Sequence, residues 1–124
     1  MSDLAHCILI VEDEFLIAEG LRLQVEEMGH VVCALAATAD EAIAAAQTHR
    51  PRVVLMDMRL RGEKDGVDAA LAIYDTVGSK VIFITGSREP ATMERIQTDH
   101  PAAVLFKPLS DRQLRNTLEE VLAA

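Results

Sequence analysis

The chain has 124 residues, of which 50% are hydrophobic and 26% charged, an ordinary balance for a single globular domain. Its 20 acidic and 12 basic residues give a net charge of −8, which argues against a nucleic-acid-binding surface rich in Lys and Arg. No apolar segment approaches the roughly 18 residues that a membrane span needs, and the acidic N-terminus is not typical of a secretory signal. We therefore expect a cytoplasmic single domain over residues 1–124 that binds neither nucleic acid nor membrane.

The first part of the chain predicts two strand–helix pairs. An apolar run at 7–11 has the length of a buried strand, and a stripe at helical spacing follows it and ends before Gly29, a C-cap glycine. The stripe consists of Ile17, Leu21, Val25 and Met28. A second run at 31–35 precedes a capping box at 38–41, which opens an alanine-rich helix toward His49.

The middle of the chain predicts two further pairs. A run at 53–56 precedes a helix after Gly66, and a run at 81–84 precedes a helix with Pro90 in its first turn. The apolar stripe of the third helix consists of Val67, Ala70, Leu71 and Tyr74. The fourth helix carries Met93 and Ile96.

The last pair completes a regular alternation. A run at 103–106 is followed by a capping box at 110–113 and by an apolar stripe of Leu114, Leu118, Val121 and Leu122. Continuous apolar strands that alternate with amphipathic helices indicate a parallel sheet covered on both faces. We predict an α/β fold, a (βα)₅ doubly wound five-stranded parallel sheet of the flavodoxin-like kind.

Polar residues follow four of the five apolar runs. Glu12 and Asp13 follow the first run, Asp57 the third, Thr85 the fourth and Lys107 the fifth, whereas the second run ends in alanines. Ligands bind beyond the carboxyl ends of the strands in this class of sheet. We therefore expect these side chains to converge at one edge, with the second strand at the margin of the sheet.

This set of side chains favours the chemistry of phosphate and a divalent cation. Clustered carboxylates repel one another unless a cation neutralises them, and Mg²⁺ prefers oxygen ligands such as Asp13 and Asp57, with Glu12 acting through water. A carboxylate can also be a nucleophile that forms an aspartyl phosphate. Lys107 and the Thr85 hydroxyl can each contact one phosphoryl oxygen. The pattern therefore favours Mg²⁺-dependent phosphorylation of an aspartate.

The same residues carry a family resemblance. Glu12-Asp13, Asp57, Thr85-Gly86 and Lys107-Pro108, in this order at the strand ends, resemble the CheY-like receiver domain of bacterial two-component response regulators, over residues from about 7 to 122. The resemblance implies the strand order 2-1-3-4-5, which agrees with a second strand that ends in no polar residue. It also implies a cis peptide bond between Lys107 and Pro108.

The resemblance further implies a function in two-component phosphorelay signal transduction. Asp57 would accept a phosphoryl group from a histidine kinase or a phosphotransfer protein, with Thr85 and Lys107 as the other catalytic residues. A Mg²⁺ ion would be held by Glu12, Asp13, Asp57 and the backbone carbonyl of Arg59.

By the same resemblance, Thr85 and Lys107 would sense the phosphoryl group and shift the face formed by the fourth helix, the fifth strand and the fifth helix. That face is also a candidate homodimer contact. Because the chain stops with the fifth helix, we expect output through contact with a downstream protein or through onward phosphoryl transfer. The protein would not be a turnover enzyme, although it would catalyse its own phosphorylation and dephosphorylation.

Two of the positions that depart from the family's pattern bear on signalling and on phosphoryl lifetime. Val104 stands where the family usually carries Tyr or Phe as a switch, with Phe106 or Phe83 as candidate substitutes. Arg59 stands two residues past the phospho-acceptor, where the family tunes phosphoryl lifetime. Its guanidinium could bind phosphoryl oxygens or pair with Glu12.

Three other functions compete with this one. The main alternative is a phosphorylation-independent protein interaction module on the same fold. A phosphatase of the haloacid-dehalogenase kind also uses an aspartate nucleophile and Mg²⁺, but it needs a second Asp where this chain has Arg59. A flavin binder is disfavoured because the acidic residues at 12–14 would repel the flavin phosphate.

The two cysteines, Cys7 and Cys33, lie in apolar runs that could form neighbouring strands. They provide neither a disulfide framework nor the spacing of a zinc site. Because the cytosol keeps thiols reduced, we expect two buried reduced cysteines and no disulfide.

Overall fold

The computed structural model describes residues 7–60, 64–86, 88–98 and 100–123, and these form five strands and five helices in strict alternation. The strands are β1 Ile8–Val11, β2 Val32–Ala36, β3 Val53–Asp57, β4 Lys80–Thr85 and β5 Ala103–Phe106. The helices are α1 Phe15–Glu27, α2 Ala39–His49, α3 Gly66–Thr76, α4 Pro90–Gln97 and α5 Asp111–Ala123. No helix among the described residues is long and apolar enough to cross a membrane.

The five strands form one parallel sheet in the order β2-β1-β3-β4-β5. The predicted doubly wound fold and the predicted strand order are confirmed, and β2 lies at an edge of the sheet. The chain passes from β1 to β2 on one side and then crosses to β3 on the other side of β1. The carboxyl ends of β1 and β3 therefore flank the crevice in which this class of sheet binds its ligands.

The hydrophobic core lies in two layers, one on each face of the sheet. Alternate residues of β1 divide between the layers, because successive side chains of a strand point to opposite faces. Leu9 and Val11 pack in the layer that contains buried residues of α2, α3 and α4. Ile8 and Ile10 pack in the layer that contains buried residues of α1 and α5. Burial on both faces explains why the strands read as continuous apolar runs.

The helix starts follow the predicted capping residues. The Thr38 hydroxyl accepts a hydrogen bond from the backbone N–H of Glu41 at 3.1 Å, at the start of α2. The Ser110 hydroxyl accepts one from the N–H of Gln113, also at 3.1 Å, at the start of α5. The C-cap glycine prediction is supported at the end of α1, where Gly29 has a φ of +91°. Such a φ favours glycine because it has no Cβ.

Two predicted apolar stripes are wrong in detail. In α1, Ile17 is 41% exposed, and in α3, Leu71 and Tyr74 are 41% and 42% exposed. The predicted Leu21 and Val25 of α1 and Val67 and Ala70 of α3 are buried. The other buried positions are Ala18 in α1 and Gly66, Ala69 and Ile73 in α3. Small alanines let a helix approach the sheet closely, so the buried face includes alanines in place of the larger apolar residues.

Cys7 and Cys33 form a disulfide, so the expectation of reduced thiols is wrong for this structure. Their Cα atoms lie 5.5 Å apart, within the range that a disulfide requires. The pairing of β1 with β2 shifts register between Ile8 and Leu9, which face Val32 and Ala34. Cys33 occupies the residue that this shift skips. The compartment argument could not reveal a bond that depends on which strands are neighbours.

Candidate functional site

The carboxyl edge of the sheet brings together the five side chains that the sequence placed there. Asp57 and Thr85 end β3 and β4, Glu12 and Asp13 follow β1, and Lys107 follows β5. The Nζ atom of Lys107 lies 2.9 Å from Oδ2 of Asp57 and 3.8 Å from Oε1 of Glu12. Residues from strands far apart in the sequence thus meet in one pocket.

Three carboxylates form a compact cluster in this pocket. One oxygen from each of Glu12, Asp13 and Asp57 lies within 4.8 Å of the others. Glu12 and Asp57 are buried, at 4% and 6% exposure. Burial and the neighbouring carboxyl group of Asp57 raise the pKa of Glu12 from 4.5 to about 8. The cluster therefore has more negative than positive charge. Its ligand atoms are all oxygens, which fits a hard divalent cation such as Mg²⁺.

Both oxygens of the Asp57 carboxylate have hydrogen-bond donors. Oδ1 accepts a bond from the backbone N–H of Arg59 at 2.8 Å, and Oδ2 accepts one from Lys107 at 2.9 Å. Partial burial disfavours the charge of Lys107, but the hydrogen bond and the charge of Asp57 outweigh it and raise the pKa of the ammonium. Lys107 therefore stays positively charged beside the carboxylate.

Thr85 completes the edge between Asp57 and Lys107. It is buried, at 4% exposure, and its backbone carbonyl accepts a hydrogen bond from the N–H of Lys107 at 2.9 Å. The next peptide bond, between Lys107 and Pro108, is cis as the family resemblance implied.

Gly66 is a site residue that the sequence interpretation missed. A Cβ atom at this position would lie 2.3 Å from the backbone oxygen of Asp57 and 3.1 Å from the Cα atom of Met58. The N–H of Gly66 also donates a hydrogen bond to the Met58 carbonyl at 3.1 Å. The only sequence signal was a glycine in the first turn of a helix, where nothing about capping requires one.

The positions that depart from the family's pattern have distinct surroundings. Phe83 is fully buried and Val104 packs at the edge of one core layer. Phe106 is half-buried, and the guanidinium carbon of Arg88 lies 3.8 Å from the centre of its ring. Within the described residues the side chain of Arg59 forms no ion pair, so the suggested pairing with Glu12 is not observed.

A comparison with family models identifies the chain. The model described as "Response regulator receiver domain" matches residues 8–119. The chain belongs to this family. The receiver family is a signalling module, which places the protein in two-component signalling.

Curated relatives and solved structures agree with this assignment. The phyllosphere-induced regulator PhyR of Methylorubrum extorquens is 37% identical over 123 residues, which are 98% of this chain and 45% of that protein. The transcriptional regulatory protein PdtaR of Mycobacterium tuberculosis is 31% identical over 112 residues, 90% of this chain and 54% of that protein. This receiver thus spans about half the length of the curated relatives that it matches.

The fold is also that of a solved receiver. The solution structure of the receiver domain of PhyR from Erythrobacter litoralis has 31% sequence identity and a TM-score of 0.84. The match covers 96% of this chain and 91% of that one.

Proposed function

We propose that this receiver accepts a phosphoryl group on Asp57 from a phosphohistidine donor, which is a histidine kinase or a phosphotransfer protein. The contact of 2.9 Å between Lys107 and Asp57 is the observation that carries the proposal. It places a cation directly beside a carboxylate at the end of a strand. Thr85 and Lys107 line the groove into which a phosphoryl group on Asp57 would extend.

The transfer requires only positioning and charge neutralisation. An oxygen of Asp57 attacks phosphorus and forms a P–O bond, while the P–N bond to the donor histidine breaks and its electron pair stays on the imidazole nitrogen. Lys107 neutralises charge on the phosphoryl oxygens, and the Thr85 hydroxyl contacts another oxygen. Protein groups aimed at developing charge are effective because they are already in place.

The carboxylate cluster would hold the divalent ion that such a transfer uses. Asp13 and Asp57 would bind Mg²⁺ directly, together with the backbone carbonyl of Arg59, and Glu12 would act through water. When bound, Mg²⁺ supplies further neutralisation of the phosphoryl oxygens.

The output of the phosphorylated domain is proposed to pass through the face formed by α4, β5 and α5. Support comes from the position of Thr85, which leads directly into the loop before α4. Among its eight residues, α4 fully buries Ile96 alone, so it is held by little apolar contact. Elements with few buried contacts are the ones that move. A downstream protein, a phosphotransfer partner or a second copy of the chain would bind this face.

A mass measurement tests the phosphorylation site. With Mg²⁺ and a small acyl phosphate, we expect the intact protein to gain the mass of one phosphoryl group. The Asp57→Asn variant should gain none, because its amide is not a nucleophile for phosphorus. The Asp75→Asn variant is the matched control, since Asp75 is an exposed aspartate near the end of α3, and it should react like the wild type. A wild-type chain that stays unmodified would instead support the phosphorylation-independent interaction module.

A further inference from the structure

The groove beside Asp57 contains guanidinium groups to which the proposed transfer assigns no role. This groove has a volume of about 700 Å³ and is lined by Asp57 and by three arginines. Arg95 is held by the carboxylates in the first turn of α3. Arg59 and Arg88 form no ion pair within the described residues. The guanidinium groups of Arg59 and Arg88 therefore line the groove beside Asp57, the residue proposed to carry the phosphoryl group.

Arg88 has a weak partner in the structure. Its guanidinium lies over the ring of Phe106, with the central carbon 3.8 Å from the ring centre. A cation over a partly exposed phenyl ring gains little, because water still competes for the charge. Phe106 lies on the same side of β5 as Val104, since alternate residues of a strand share a face. The Arg88 stack therefore lies on the α4 side of the sheet, where the family's aromatic switch is missing.

The distance between the ring and the phosphorylation site suits an arginine side chain. Asp57 is paired with Ile84 on β4, and Thr85 is paired with Phe106 on β5. Neighbouring strands lie about 4.8 Å apart, so the backbones of Asp57 and Phe106 are roughly 10 Å apart. Arg88 extends from the loop that follows Thr85 and lines the same groove as Asp57. A phosphoryl group on Asp57 would extend toward Arg88 and shorten the distance between the two side chains.

Phosphorylation provides Arg88 with a stronger partner than the ring. A phosphoryl group on Asp57 carries a charge of about −1.5 to −2 on three terminal oxygens that accept hydrogen bonds. The planar guanidinium can donate two parallel hydrogen bonds to such a group, and charge-assisted bonds of this kind are among the strongest in proteins.

We propose that Arg88 is a phosphoryl-binding residue: when Asp57 is phosphorylated, its guanidinium leaves the ring of Phe106 and donates hydrogen bonds to the phosphoryl oxygens. The inference rests on the proposed phosphorylation of Asp57. Its consequence is that Arg88 is drawn toward Asp57 while the ring of Phe106 is uncovered. The signal then reaches the α4–β5–α5 face without an aromatic residue at Val104.

Beryllofluoride, a tetrahedral mimic of the phosphoryl group on a carboxylate, tests this assignment in the presence of Mg²⁺. Binding is followed by NMR through backbone amide resonances and the ring carbon resonances of Phe106. The chain has three phenylalanines, so the Phe106 signals are assigned with a Phe106→Leu variant. Arg88→Ala is compared with Arg112→Ala, which removes an exposed arginine of α5 outside the groove.

Two results are expected. Arg88→Ala binds beryllofluoride about tenfold more weakly than the wild type, because it lacks a charge-assisted contact, whereas Arg112→Ala is unchanged. In the wild type, beryllofluoride moves the ring signals of Phe106 toward the positions that they have in unliganded Arg88→Ala, since the guanidinium has left the ring in both. Arg88→Lys keeps the charge and restores part of the affinity.

Other results would overturn the inference. If Arg88→Ala binds beryllofluoride as tightly as the wild type, or if the Phe106 ring signals of the wild type do not move, Arg88 does not bind the phosphoryl group. Neither result contradicts the proposed phosphorylation of Asp57. If the wild type does not bind beryllofluoride at all, both the inference and the proposed function fail. Dispersed amide resonances in each variant establish that it is folded.

Discussion

Glu12 combines burial with the proximity of a second carboxylate. It is 4% exposed, and its Oε2 accepts only a moderate hydrogen bond of 3.1 Å from the N–H of Glu14. The Nζ atom of Lys107 lies 2.9 Å from Asp57 and 3.8 Å from Glu12, so its positive charge interacts more strongly with Asp57. Burial and the nearby carboxyl group of Asp57 therefore disfavour the charged form of Glu12, and its pKa is raised to about 8.

The raised pKa of Glu12 predicts a pH-dependent stability. In metal-free protein the folded state holds this proton up to a pH of about 8, whereas the unfolded chain releases it near 4.5. The free energy of unfolding should therefore fall as the pH rises between these values, because folding then requires uptake of a proton. Urea unfolding followed by circular dichroism, at about pH 5 and about pH 8, measures this difference.

The Glu12→Gln variant is the control for this prediction. It keeps the shape of the side chain but cannot titrate, so its stability should change less across the same window. Saturating Mg²⁺ should also flatten the dependence in the wild type, since bound metal replaces the proton. Equal pH profiles for wild type and variant would show that Glu12 does not hold the proton.

At the scale of elements, the start of α3 is held close to Asp57. Asp65 caps the helix by accepting hydrogen bonds from the N–H groups of Val67 and Asp68, at 3.0 and 3.1 Å. Its carboxylate also pairs with Arg95 of α4. Gly66 then packs directly on the backbone of Asp57. The start of α3 therefore lies in direct contact with the backbone of the candidate nucleophile.

Gly66→Ala should disturb this contact. The new Cβ would lie 2.3 Å from the carbonyl oxygen of Asp57, which is too close for any real contact, so the backbone must shift. We expect a loss of stability of about 1–3 kcal/mol, typical of overpacking, together with slower phosphorylation by acyl phosphate. Urea unfolding and the rate of mass gain measure the two effects.

Gly20→Ala in α1 is the matched control. A Cβ at Gly20 meets nothing within 4 Å, and alanine is favoured over glycine in a helix interior by about 0.5–1 kcal/mol. This variant should be as stable as the wild type or more so. A Gly66→Ala protein that behaved like the Gly20→Ala protein would contradict the close approach of α3 to Asp57.

At the scale of the whole molecule, the disulfide joins the edge strand β2 to the segment just before β1. Cys7 and Cys33 are separated by 26 residues, and the enclosed loop contains all of α1. A crosslink of this length lowers the entropy of the unfolded chain, which stabilises the folded state by about 3 kcal/mol. We expect reductant to lower the urea midpoint of the wild type accordingly.

The Cys33→Ser variant separates this effect from any other action of the reductant. It should have a lower midpoint than the oxidised wild type and should not respond to reductant. A wild type whose midpoint is the same with and without reductant would contradict the disulfide. Because Asp57 lies on β3, away from β2, phosphorylation by acyl phosphate should continue in Cys33→Ser.

The fold and most of the candidate site could be predicted from the order of residue types along the chain. Strands buried on both faces must be continuously apolar, so five such runs that alternate with helices already implied the doubly wound sheet. Parallel strands end at one edge, so the polar residues that follow four of the five runs had to meet there. The convergence of Asp57 and Lys107 followed from this rule, because it depends on strand ends and needs no atomic detail.

Contacts between residues remote in the sequence could not be predicted in this way and required the three-dimensional structure. The pairing of Cys7 with Cys33 depends on a register shift, and the need for Gly66 depends on how closely α3 approaches Asp57. The stacking of Arg88 on Phe106 likewise depends on the path of one loop. Periodicity in the chain specifies which face of an element is buried only approximately, whereas these contacts are set by distances of a few ångströms between elements.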